Sequence, residues 1–131
     1  MILVDTSVLI DFFKKNKTHS TARFKELVKK EIPFGITSQI FQEVLQGTKS
    51  DKDYNRLKDY LETQIFYHPQ DPVKSFADAA QLYRECRKQG VTPRSTIDCL
   101  IAQVAIEHNL SLLHNDKDFD IMAGVINLRI Y

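Results

Sequence analysis

The stretch MILVDTSVLIDFF, Met1 to Phe13, sets an apolar run directly against an acid. Ile2, Leu3 and Val4 have the pattern of a strand buried on both faces, and Thr6 and Ser7 lead back into apolar residues at helical spacing. The pattern predicts a strand from Ile2 to Asp5 and a helix that starts at Ser7 as its N-cap and runs to about Lys15. Asp5 therefore ends a buried run without being needed as a cap. An ionised carboxylate withdrawn from water is costly unless it is paired, so Asp5 requires a bound group or a proton.

The same strand-then-helix arrangement recurs along the chain. An amphipathic helix over residues 20 to 30 stops before Pro33, Phe34 to Thr37 reads as a second strand, and Thr37 or Ser38 caps a helix that ends at Gly47. Two helical segments follow, Ser50 to about Tyr67 and Pro72 to Gln89, and periodicity leaves open whether Ile65 to His68 is a short strand between them. Residues 96 to 109 form a mostly apolar helix; Ser111 to His114 reads as a strand, 117 to 123 as a short helix and Val125 to Ile130 as the last strand. Strands alternating with helices, and no hairpin turn between strands, imply an α/β fold: a three-layer α/β/α sandwich around a mostly parallel sheet. In such sheets functional groups collect beyond the carboxyl ends of the strands.

Composition bounds the possibilities. A chain of 131 residues, 43% hydrophobic and 27% charged, fits one domain over residues 1–131, with no linker, repeat or low-complexity run. The first apolar run is too short for a signal peptide core and nothing approaches a membrane span, which points to a soluble, cytoplasmic protein without membrane association. Cys86 and Cys99 lack metal-ligand spacing and suit free thiols in a reducing compartment. A net charge of +1 argues against a uniformly basic coat for nucleic acid, although Lys14, Lys15 and Lys17 cluster after the first helix and Arg84, Arg87, Lys88 and Arg94 further on.

Four acids fall at the predicted sheet edge. Asp5 follows the first strand, Asp116 follows SLLH after Asn115, Glu43 lies on the helix after the second strand, and Asp98 lies in the first turn of the apolar helix. Each has an ordinary alternative. Asp98 completes the capping box Ser95-x-x-Asp98, Asp116 and Asp118 suit the cap of the helix that follows, and an isolated Glu43 would be a surface glutamate. Clustered carboxylates raise one another's pKa values unless a cation is present. An all-oxygen set favours a hard divalent ion, Mg²⁺ or Mn²⁺, and supports metal-assisted attack of water on a phosphodiester.

Three segments, VDTSVLIDFF (4–13), TSQIFQEVLQG (37–47) and RSTIDCLIAQVAIEHNLSLLHNDKDFDIMA (94–123), resemble a PIN-domain ribonuclease of the VapC toxin type. The resemblance spans the chain in order. It implies an endoribonuclease that arrests translation, dependent on one or two Mg²⁺ or Mn²⁺ ions, with Asp5, Glu43, Asp98 and Asp116 as catalytic ligands and Asp118 as the alternative fourth. It implies that Ser7, with Thr6, orients Asp5. It also implies a VapB-type antitoxin partner, a homodimer and a toxin-antitoxin hetero-oligomer.

Arg94, Lys14 and Lys15 are candidates to contact RNA, with a surface salt bridge as the alternative for Arg94. His114 suits a structural role at a strand end. Two rivals remain. A haloacid-dehalogenase-type phosphatase would need a second acid two residues after Asp5, where Ser7 stands. A catalytically silent PIN-fold binding module would gain stability by losing clustered carboxylates, yet all four are present.

Overall fold

Strands β1 (Ile2–Val4), β2 (Phe34–Ile36), β3 (Ile65–Phe66), β4 (Ser111–Leu113) and β5 (Arg129–Ile130) form one sheet in the computed structural model, which describes residues 1–131. The order is β3-β2-β1-β4-β5 and every pairing is parallel. Central β1 pairs through Ile2 with both Phe34 and Ser111, and through Val4 with Leu113. Leu3, Val4, Ile36, Leu112 and Leu113 are sealed from solvent, which is why these strands read as continuous apolar runs.

The chain leaves β1 through α1 (Thr6–Phe13) and α2 (His19–Lys29) to β2, then through α3 (Ser38–Gln46) and α4 (Asp51–Glu62) to edge strand β3. Helices α5 (Lys74–Lys88) and α6 (Thr96–Glu107) carry it back past β1 to β4, and α7 (Lys117–Ala123) leads to β5. Right-handed crossovers put the helices of the outward and return journeys on opposite faces. Accordingly α1 packs on α2 and α3, α3 packs on α4, and α5 packs on α6. This is the expected three-layer α/β/α sandwich. No helix is long and apolar enough to cross a membrane.

Local chemistry fixes most element ends. Thr37 caps α3 by accepting the Ile40 N–H at 3.1 Å, and Gly90, at φ +79°, turns the chain out of α5. Helix α6 is buried almost all round, from Cys99 to Ala105, because it lies against the sheet beneath α5.

Three expectations are corrected. Asp5, not Ser7, is the N-cap of α1. The helix expected from Ser50 to about Tyr67 ends at Glu62, and the segment left open, Ile65–His68, contains a strand of two residues, Ile65–Phe66, paired with β2. The last strand is only Arg129–Ile130, because the N–H groups of Val125 and Ile126 both return to the Met122 carbonyl and close α7 instead of joining the sheet. Ile126 and Leu128 still fill the core.

The order reverses between β1 and β4. Their connections depart in opposite directions, which opens a crevice beyond their carboxyl ends, the place where open α/β sheets bind ligands. The backbone keeps the two ends together, since the Asp5 N–H donates to the Leu113 carbonyl at 2.9 Å.

Gly35 in β2 is required by close packing. A Cβ there would collide with the edge of the Tyr67 ring and stand 3.2 Å from the Ile65 carbonyl oxygen. Gly35→Ala is expected to destabilise the protein by about 1–3 kcal/mol through this overpacking. A lower denaturant midpoint with an unchanged slope would show it, and an unaltered midpoint would remove the argument.

Candidate metal centre

Asp5 is 5% exposed at the end of β1. Its Oδ2 accepts the Ser7 N–H at 3.1 Å and the Ser7 hydroxyl at 2.6 Å. Burial pushes its pKa up, and the bonds from Ser7 oppose that only in part. The Ser7 Oγ in turn accepts the Asn115 N–H at 2.9 Å, so one hydroxyl joins the residues that follow β1 and β4. The Asn115 side chain donates to Asp11 Oδ2 at 2.7 Å. Asn115 and Asp11 escaped the sequence reading, in which Asn115 was a spacer; its role depends on a contact 108 residues away along the chain.

Past β4, His114 is buried and its Nδ1 accepts the Asp116 N–H at 3.0 Å, which leaves Nε2 to face Asp120 Oδ1 at 3.1 Å. The Ser20 hydroxyl donates to the His114 carbonyl at 2.7 Å. The ring is thus a structural brace for the loop that carries the acids. Asp116 caps α7 by accepting the Asp118 N–H on Oδ1 at 3.0 Å, so its capping role and its place at the acid cluster coexist.

Asp98 stands half-buried in the first turn of α6. The capping-box reading does not describe it: Ser95 caps the helix through the Ile97 N–H at 3.2 Å, and the Asp98 carboxylate takes no part. Its pKa is pushed up to about 7, first by burial and then by the charges of Asp5, Asp116, Glu43 and Asp118. Glu43, partly buried on α3, is shifted upward by desolvation and by Asp5. The five acids therefore share one electrostatic neighbourhood.

Within it, carboxylate oxygens of Asp98, Asp116 and Asp118 lie within 4.8 Å of one another. Asp5 and Glu43 stand outside that tight set and act on it through their charge. Asp118 thus joins the cluster beside Asp116 rather than in place of it.

The basic candidates separate. Arg94 Nη2 pairs with Asp116 Oδ1 at 3.1 Å and its Nε with Asp118 Oδ2 at 2.8 Å, the salt-bridge alternative, and it holds the Asp118 carboxyl below its ordinary range. Lys14 and Lys15 follow the far end of α1, about 14–15 Å from Asp5 by helical rise.

A PIN domain model matches residues 2–125. The chain belongs to the PIN domain family. It is 32% identical over 130 residues to Ribonuclease VapC11 of Mycobacterium tuberculosis, covering 98% of this chain and 96% of that protein. Identity is also 32% to Ribonuclease VapC1 of Methanocaldococcus jannaschii, over 99% of this chain and 86% of the relative. Among solved structures, a toxin-antitoxin complex from Klebsiella pneumoniae matches with a TM-score of 0.69 at 25% identity, covering 96% of each chain. VapBC2 from Rickettsia felis, bound to a promoter DNA fragment, shares the fold with a TM-score of 0.73 at 24% identity, covering 100% of this chain and 98% of that one.

The donor set of this PIN domain fits a divalent ion. The candidate donors are all carboxylate oxygens, and burial, followed by the charges of the neighbouring acids, raises Asp98 far above its ordinary value. The buried Thr6 hydroxyl, next to Asp5 in the chain, has no hydrogen-bond partner, so contrary to expectation Ser7 alone orients Asp5 through a hydroxyl.

With a folded pKa of about 7 and an unfolded value near 3.9, Asp98 retains in the folded state a proton that the unfolded chain has lost. Its stabilising contribution is complete below the unfolded value and disappears as pH rises to about 7. In EDTA the protein should lose thermal stability between about pH 4 and pH 7, and Asp98→Asn should lessen that loss. Parallel melting curves for wild type and variant across this range would contradict the assignment.

Proposed function

We propose that this chain is a metal-dependent endoribonuclease, the toxin of a type II toxin-antitoxin pair that cleaves RNA and inhibits translation. The convergence of Asp98, Asp116 and Asp118, with Asp5 and Glu43 beside them, at the β1–β4 crevice carries the reading. Full-length similarity to ribonucleases supplies the substrate class.

In this reading Asp5, Glu43, Asp98 and Asp116 hold one or two Mg²⁺ or Mn²⁺ ions, with Asp118 as a further ligand beside Asp98 and Asp116. When bound, such ions would make water a stronger nucleophile and would offset charge on the scissile phosphate. The chain's own contribution is placement: β1 and the Ser7 hydroxyl fix Asp5, the α7 cap fixes Asp116, and the Ser95-capped first turn of α6, leading into its buried stretch from Cys99, places Asp98. Asp98 must shed its proton to bind a cation, so its pKa of about 7 ties occupancy to pH near neutrality. The proposal extends to a single domain over residues 1–131, a cytoplasmic location, a VapB-type antitoxin, a homodimer and a toxin-antitoxin hetero-oligomer.

Purified protein should cleave single-stranded RNA with Mg²⁺ or Mn²⁺ and lose the activity in EDTA. Asp5→Asn and Asp98→Asn should each reduce cleavage at least about 100-fold, beyond what disturbing an outer-shell partner costs. A folded Asp98→Asn protein that cleaves at the wild-type rate would refute the metal-nuclease reading.

A further inference from the structure

Arg94 lies on the short segment between α5 and α6, and its side chain is 74% exposed. Its guanidinium nonetheless spans two members of the acid cluster, Asp116 at 3.1 Å and Asp118 at 2.8 Å. We propose that Arg94 is an exchangeable counter-charge for the metal-free centre: its guanidinium and a divalent ion compete for Asp116 and Asp118, so Arg94 restrains metal loading. This rests on the metal-centre reading and adds a control element to it.

The alternative role for such a residue is to orient the ligands, and removing an orienting residue weakens metal binding. The surrounding bonds argue against that role. Asp116 Oδ1 is already fixed by the Asp118 N–H at 3.0 Å, and Asp116 caps α7 without help from Arg94. The Arg94 backbone N–H reaches Asp118 Oδ2 at 3.4 Å and survives any change of side chain. What the guanidinium alone supplies is positive charge, beside oxygens that would face a divalent cation. Placed in solvent on a connecting segment, it has room to leave when an ion arrives. A surface arginine bound to two carboxylates gains little from the pairing itself, so the exchange meets a small barrier in free energy.

Removing one positive charge several ångströms from a divalent ion should tighten binding about 5- to 10-fold even at the dielectric of water. The test is titration of the full-length protein with Mn²⁺ alone at low ionic strength, followed by calorimetry or by the loss of the free Mn²⁺ paramagnetic resonance signal. Arg94→Gln should bind Mn²⁺ at least about 5-fold more tightly than wild type. Arg94→Lys, which keeps the charge, should return close to the wild-type affinity. If Arg94→Gln binds Mn²⁺ equally or more weakly while the wild type binds it, the counter-charge proposal falls and the metal centre stands. If neither protein binds Mn²⁺, both fall. Asp98→Asn, expected to abolish binding in either background, confirms that the titrated site is this one.

Discussion

The Ser7 hydroxyl holds the two central strand ends in register with each other. It donates to Asp5 beyond β1 and accepts from the Asn115 backbone beyond β4, across the point where the sheet order reverses. Strands of three residues give little length over which a ladder can fix alignment, so this side-chain link adds definition where the sheet has least to offer. Asp5 sits on one side of it and Asp116 on the other. The link thus ties Asp5 to the residue immediately before Asp116.

The fold concentrates charge where an apolar interior would be more stable. Asp5 is almost entirely withdrawn from water, and the groups that raise Asp98 besides burial are all carboxylates. Burial of this kind is opposed by desolvation and by like charge together. The molecule tolerates it because its apolar core is extensive elsewhere: one cluster runs from β1 through α2 and α6 to Met122 and Leu128. Local strain at the centre is thus carried by packing far from it.

Much of this was legible in the residues. The run Ile2 to Val4, the run Leu112 to Leu113 and the apolar helix from Cys99 to Ala105 announced central strands and a buried helix, because burial on all sides leaves an unmistakable composition. An acid ending such a run pointed to the site. The cap of α1 was misplaced because Asp5 and Ser7 are both competent N-caps, and only backbone geometry decides between them. The bridging position of Arg94 over Asp116 and Asp118 depends on a loop meeting a helix start 22 to 24 residues away. The distance of Lys14 and Lys15 from the acids follows from the direction of α1, which charge clustering does not record.

Asp5 answers to two separate demands. As the N-cap of α1 it belongs to a position that also accepts asparagine, serine or threonine, whose short side chains reach back to the first turn. As an anionic oxygen at the crevice it belongs to a position that accepts aspartate or glutamate, and glutamate's extra methylene places it outside the set of good caps. The two alphabets share one letter. The residue that closes the first strand is therefore the point where architecture and chemistry leave the sequence no freedom.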